Sequence, residues 1–525
     1  MRMKLLCVAM TVTLGLGAAM VSQANTLRMA EASDIASLDP YSVTESNTLG
    51  FLHHIYEPLV RYNADLQLEP ALATSWEVVE PNVWRFELRE GVTFHNGNSL
   101  SADDVVASIH RAIDPNAPIR VNVPTVLDAR KVGDMSVEIV LSTADPLLLN
   151  YLTNVYIFDK EWMTENNALN AIDLRKGEEN YATTHANGTG PFTLESRQPD
   201  AKTVLVVNPA WWDTPEHNLT RIEFTPISSD ATRVAALLSG EIDLMYPAPL
   251  QDVKRIDSTA GVKVLQAPSL RTIMFGLNQR DDQLHDSDIK GKNPLKDARV
   301  RKALYQAINM ELIQKKVMRG NSRNSALVVA PEVPGYDAAL NQRFAFDPEA
   351  AKALLADAGY PNGFRVGLDC TNDRYVNDEE ICQAVVSMWA RVGIKANLTA
   401  QSKGNHFQKM LGGGSDIYMF GWATLPMLDT FSALTGFLAT PADKLGTWNP
   451  GGYSNARIDS LIGQISGELD EPKRLIMLAE TLEIARDEVA VIPLHQQPLS
   501  WGIREGITLP QTPDDKPRLW YAKVN

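Results

Sequence analysis

Residues 57–112 read EPLVRYNADLQLEPALATSWEVVEPNVWRFELREGVTFHNGNSLSADDVVASIHRA. Within this stretch Trp76 and Val78, then Trp84, Phe86 and Leu88, alternate with polar residues at the period of two expected of a half-buried strand pair. Glu80-Pro81-Asn82 supplies the turn, because proline presets one backbone dihedral and asparagine tolerates the left-handed one. His95-Asn96-Gly97 breaks the strand that follows. Ser101-Ala102-Asp103-Asp104 then opens a helix, with Ser101 as its cap and Asp104 answering three residues on. Val105, Val106, Ile109 and Ala112 recur at helical spacing and mark its buried face. The stretch predicts a hairpin followed by an amphipathic helix, with no titrating constellation.

Length and composition bound the rest. At 525 residues the chain is too long for a single core and predicts two or three lobes. Its 44% hydrophobic and 22% charged residues are those of an ordinary globular protein. Arg2 and Lys4, a following apolar run with Gly15 and Gly17, and small residues at Ser22 and Ala24 read as a secretory signal cleaved near Ala24 and Asn25. A membrane anchor fits less well, because the run is short and lacks a basic stop-transfer flank. Cleavage would take the net charge from −15 to −17, which disfavours nucleic acid and anionic membranes as partners. Cys370 and Cys382 remain, an even number in an exported chain, compatible with a disulfide or with two buried thiols.

As literal strings, ALATSWEV, WRFELREGVTFHNG and LSADDVVASIHRA closely resemble the signature region of the family 5 extracytoplasmic solute-binding proteins, partners of ABC importers. NGTGPF at 187–192, NPAWW at 208–212 and GEIDLM at 240–245 match as well, and the resemblance runs from about residue 26 to the end. It implies an α/β, two-lobed periplasmic-binding-protein (Venus-flytrap) fold, mixed sheets flanked by helices, with an enlarged first lobe. It also implies that the C-terminal tail returns to complete that lobe. The expected domains are a signal peptide at 1–24, lobe one at 25–270 plus 490–525, and lobe two at 271–489.

The remaining elements fit this outline. Strands are expected at 262–266 and 272–277, the second leaving lobe one. A proline-started helix after Asn293, another from Asp347-Pro348 closed by Gly359, and a helix capped by Asn377 alternate with strands at 364–369, 394–398 and 417–422, which indicates a three-layer α/β lobe. Candidate hinges are 274–278 and 493–497.

Enzyme motifs are missing: there is no G-x-S-x-G elbow, no H-E-x-x-H helix and no paired-cysteine metal motif. The sequence points to no catalytic residue, no metal and no cofactor. A binding protein needs instead a cleft, polar groups and aromatic walls. The resemblance places the Gly421-Trp422 dipeptide at the cleft, with Trp422 as a covering surface and Thr424 beside it. Peptide-binding relatives often follow this tryptophan with an aspartate for the ligand amine; here Ala423, Thr424, Leu425 and Pro426 follow instead. Dipeptide-binding relatives draw a carboxylate-clamping arginine from the region of Arg374, since guanidinium is a planar bidentate fork. Pairing of Arg374 with Asp373 or Asp378 is the alternative. Asn372, Tyr375, Asn47, Thr189, Asn278, Trp448 and His495 complete the candidate ligand-binding set.

The resulting expectation is a monomeric periplasmic substrate-binding component of an ABC importer. It would deliver a peptide or peptide-like solute to permease subunits in the inner membrane. Oligosaccharides, opine-like conjugates, metal chelates and haem are alternative cargoes, and a sensory or chaperone-like binding protein is the alternative role.

Overall fold

The computed structural model describes residues 25–525; the expected signal peptide lies outside them. The quoted stretch folds as strands Ala73–Glu80 and Val83–Leu88 and helix Ala102–Ala112. Trp84, Phe86 and Leu88 are buried, whereas Val78, directly opposite Trp84, is exposed because Ala73–Glu80 is the edge strand of its sheet. Ser101 and Asp104 form a reciprocal capping box. Arg111, on the same helix, reaches Asp39 through two hydrogen bonds of 2.7 and 2.6 Å, both side chains wholly buried. Asp39 is thereby the counter-charge that lets an arginine face a core.

One mixed sheet of 11 strands runs through the molecule. From one edge it passes Lys395–Gln401, Arg365–Thr371 and Ile417–Trp422 to two long strands, Val262–Leu277 and Ile492–Arg504. It continues through Leu244–Tyr246, Thr26–Glu31, Arg221–Pro226 and Lys202–Val207 to Phe192–Gln198. The long antiparallel pair therefore belongs to both halves. A separate four-stranded antiparallel sheet carries the signature hairpin.

The two expected strands at 262–266 and 272–277 are thus one strand of 16 residues, interrupted but not ended. Its ladder to Ile492–Arg504 shifts register between Pro268 and Thr272, so that Ser269, Leu270 and Arg271 stand opposite Gln497 alone. Pro268 pairs with Pro498, two residues with no N–H to donate, which is where a ladder breaks most readily. Met274–Asn278, expected as a hinge, pairs regularly with Ile417–Trp422 up to Leu277, while on its other side the ladder to Ile492–Arg504 shifts register a second time between Ile273 and Met274, leaving Leu494 of the other expected hinge unopposed, and continues through Phe275. The larger of the two irregularities sits a few residues earlier, at Ser269–Arg271.

Alternation along the long strand places Ile273 and Phe275 in one core with Leu304, Trp389 and Met419, and Met274 in another with Phe420, Phe437 and Leu478. The helices sandwich the sheet on both faces there, while a larger core around Phe51, Tyr56, Phe158 and Phe224 fills the other half. Asp347 caps its helix through two backbone N–H groups. Asn377 does not cap: it adopts a left-handed conformation (φ 54°) and donates from Nδ2 to the Val317 carbonyl. Cys370 and Cys382 form a disulfide that ties strand Arg365–Thr371 to helix Asp378–Ala390.

Candidate functional site

In open α/β sheets the carboxyl ends of parallel strands form the natural crevice for ligands. Thr26–Glu31 and Leu244–Tyr246 run parallel and end at Glu31 and Tyr246. Arg365–Thr371 and Ile417–Trp422 also run parallel, ending beside Arg374 and at Trp422. All four of these residues line one cavity of about 840 Å³, together with the Ser269–Arg271 irregularity and the C-terminal loop 513–517.

One wall is aromatic. Trp422 is half-buried and makes edge contacts with Trp448 (5.8 Å) and Phe437 (5.4 Å), and Trp448 makes another with Phe407 (5.6 Å). Its indole donates to Ser432 Oγ, and Gly436 fits under the ring where a Cβ would come within 2.7 Å of it. The ring is thus clamped from behind, with Trp422, Trp448 and Phe407 all contributing surface to the cavity.

A second wall is cationic. The loop bearing Arg374 is built around Asp378, whose Oδ2 accepts from Thr371 Oγ1 (2.6 Å) and from the backbone N–H groups of Arg374 and Tyr375. Asp378 therefore serves the backbone, and the Arg374 guanidinium lies over the Tyr375 ring, 5.3 Å from its centre. The Tyr375 hydroxyl accepts the Gly421 N–H, joining this loop to the tryptophan strand. Arg271, re-aimed by the register shift, enters the same cavity. Burial pushes its pKa down, and the neighbouring positive charge of Arg374 adds to that. Among the described residues neither arginine forms an ion pair. Asp515 attracts Arg271 only from beyond ion-pair range, and two cations held together in this way fit an anionic ligand group.

The third wall is acidic: Glu31 and Asp515. Burial pushes the Glu31 carboxyl up to about 7, opposed by Tyr246, with the negative charge of Asp515 acting in the raising direction. Asp515 accepts the Trp501 indole N–H at 2.8 Å, and burial raises its carboxyl to about 6.

Of the sequence candidates, Trp422, Arg374, Tyr375, Trp448 and Asn47 line this cavity. Asn47 donates to Ser33 Oγ at its rim. The others do not line it. Asn372 is exposed, its backbone N–H donating to the Gln401 carbonyl. Thr424 is buried beneath the wall. Thr189 is buried too, its hydroxyl donating to Glu57, which also holds the indoles of Trp211 and Trp212. Asn278 closes a turn with Arg280 and Asp281. His495 is fully buried, its pKa pushed down to about 3 by desolvation, among strand residues. These five carry polar side chains near the right segments, but strand alternation or a turn directs each one inward or outward, away from the cavity.

Arg271, Glu31, Tyr246 and Asp515 were missed. The signal for Arg271 was Pro268, since proline inside a strand pattern marks an edge or a bulge. Nothing local marks Asp515; its place depends on the tail folding back. No helix among the described residues is long and apolar enough to cross a membrane.

Comparison with known proteins gives a consistent result. The family described as bacterial extracellular solute-binding proteins, family 5 Middle, matches residues 67–444. Heme-binding protein A of Haemophilus influenzae is 25% identical over 468 residues, covering 84% of this chain and 81% of that protein. The glutathione-binding protein GsiB of Shigella flexneri is 25% identical over 495 residues, covering 93% and 92%. The solved structure of HbpA2 from Haemophilus parasuis superposes with a TM-score of 0.82 at 23% identity, over 95% of this chain and all of that one.

Proposed function

We propose that this chain, which belongs to the bacterial extracellular solute-binding proteins of family 5, captures a carboxylate-bearing peptide or peptide-like solute between its lobes and delivers it to the permease of an ABC importer. The observation that carries this reading is the cationic wall: Arg271 and Arg374 reach one cavity from different segments, and among the described residues neither is neutralised. Guanidinium groups left in that state lower the energy of a bound carboxylate and disfavour neutral cargo. The aromatic wall of Trp422 and Trp448 adds apolar area for the body of the solute. Relatives at 25% identity are named for haem and for glutathione, and both of those molecules carry two carboxylates.

Glu31 and Tyr246 come from one half and Arg374 and Trp422 from the other, so a ligand touching both sets favours the closed arrangement over the open one. We take lobe one as 25–270 with 490–525 and lobe two as 271–489, joined through the two long strands, with Ser269–Arg271 opposite Gln497 as the place where the ladder gives. The site is assigned to binding rather than to turnover. The mature chain acts as a monomer in the periplasm after loss of residues 1–24, without nucleic acid.

A thermal-shift screen of mature protein, stripped of carried-over ligand by unfolding and refolding, tests the reading. Its panel holds di- to pentapeptides, glutathione, haem, opines, oligosaccharides and nickel chelates. A ligand at 100 times its Kd adds about 2.7 kcal/mol. Peptides or glutathione are expected to raise Tm; a response confined to neutral oligosaccharides would overturn the carboxylate reading.

A further inference from the structure

We propose that Lys516 is the centre of a second anion site, in an enclosed pocket behind the interlobe cavity, which takes a carboxylate arm of the solute. The inference rests on the carboxylate reading above and narrows it: the cargo carries a second acidic group besides the one met by Arg271 and Arg374.

A cavity of about 50 Å³ lies against the larger one, with Leu425, Asp514 and Lys516 lining both. A water-sized group needs roughly 10–15 Å³, so the space holds the atoms of a carboxylate. Rings of Tyr56, Tyr156 and Trp520 wall it from lobe one, and Leu425-Pro426 of lobe two covers it. The Tyr62 hydroxyl accepts from Asn150 at 2.8 Å and lies 3.4 Å from the Pro426 carbonyl oxygen, which pins this cover to lobe one. Lys516 stands in the partition. Its stem runs along Gly50, which lines only the larger cavity: a Cβ there would come within 3.2 Å of Lys516 Cγ. Its Nζ lies 3.4 Å from Oδ1 of Asn154, which lines only the enclosed one. The ammonium therefore projects inward while the stem divides the two spaces.

Every other charge around the pocket is already spent. Asp514 is held by Arg518 through hydrogen bonds of 3.1 and 2.9 Å. Arg61 is held by Glu69 and Asp213, each at 2.7 Å. Glu57, the second acid lining the pocket, accepts from Thr189, Trp211 and Trp212. His53 contacts the Pro517 carbonyl oxygen, and burial pushes its pKa well down. Lys516 alone is left over. An ammonium carries three donors, yet among the described residues this one makes a single long hydrogen bond and no ion pair. Burial pushes its pKa down, with Asp514 opposing and Arg518 adding like charge. A cation withdrawn from water without its own counter-ion is costly, and an anionic ligand group removes that cost. Because Leu425-Pro426 comes from the opposite half, an arm in the pocket is sealed in when the halves meet, and its binding favours the closed form.

The test uses two matched pools of tri- to pentapeptides, each member carrying one glutamate in the first pool and glutamine at the same position in the second. They are titrated against the mature wild-type protein, Lys516→Met and Lys516→Gln. In the wild type the best glutamate peptide is expected to bind at least tenfold more tightly than its glutamine counterpart. Either variant should bring the pair within about threefold while leaving the glutamine peptide within about twofold of its wild-type affinity. This cycle reads the coupling between the lysine and the added carboxylate, which a merely structural lysine would not show. The ligand-free Tm reports folding and should stay level or rise in Lys516→Met; Lys516→Gln carries the cycle if the methionine variant does not fold. Equal affinity for the two pools in the wild type would overturn the inference and leave the carboxylate reading standing. A glutamate preference that survives in the variants would do the same, since it would place the second acid elsewhere. Silence to both pools would overturn the peptide-like reading and this inference with it.

Discussion

Replacing Arg271 with methionine separates a binding role from a structural one. The change keeps most of the apolar stem and removes the guanidinium. In the free protein that group sits in a cavity with Arg374 as a like-charged neighbour, and burial already works against its charge. Loss of the charge therefore relieves repulsion, and the ligand-free Tm of Arg271→Met should stay level or rise. In the complex the same group donates to the solute carboxylate, and a hydrogen bond to a charged partner is worth about 1.5–3 kcal/mol. At about 1.4 kcal/mol per tenfold, affinity should fall roughly 10- to 150-fold. Isothermal titration with the best peptide from the screen gives Kd, and differential scanning fluorimetry gives the ligand-free Tm. If Arg374 contacts the same carboxylate, the double variant should lose less than the two single losses combined. A fall of several degrees in ligand-free Tm with unchanged affinity would refute the reasoning, because it would make Arg271 a packing residue whose charge no ligand meets.

Three further outcomes follow from the same geometry. The Glu31 carboxyl is raised from its ordinary 4.5 to about 7, so the folded state holds the proton more tightly; stability is fully present below pH 4.5 and is lost as pH rises through 7, on the order of 3 kcal/mol. Urea denaturation across pH 4–8 should show that slope flattened in Glu31→Gln, and an unchanged slope would remove Glu31 as its source. A Cβ at Gly188 would lie 2.0 Å from the Ile55 carbonyl oxygen, so Gly188→Ala should destabilise by about 3 kcal/mol or more, read as a lower urea midpoint; a midpoint within error of wild type would contradict the close approach. The disulfide closes a 12-residue separation, and Cys370→Ala with Cys382→Ala should cost about 3 kcal/mol in urea and weaken peptide binding as well, since it anchors the loop carrying Arg374; loss of stability with unaltered Kd would show that the loop is held by Asp378 alone.

The sequence by itself determined the fold class and much of the local structure. Period-two alternation in 73–88 and the Ser101/Asp104 pair act over a few residues, so the signature hairpin and its helix were legible, as were strand Ile417–Trp422 and the cap at Asp347. Those features depend on dihedral preference and on which face is apolar, both of which are written locally. Trp422 of the aromatic wall was legible too, through the resemblance of the Gly421-Trp422 strand end to the family's cleft segment. What the tertiary structure alone decided is which polar groups meet. Two strands became one because Pro268 faces Pro498, more than two hundred residues away, and the resulting register shift turned Arg271 into the cavity. Asn377 lost its capping role to a carbonyl at Val317, and Asp515 reached Glu31 only because the tail returns to the first lobe. A strand register or a buried charge takes its energy from partners distant in sequence, so no window of residues contains it.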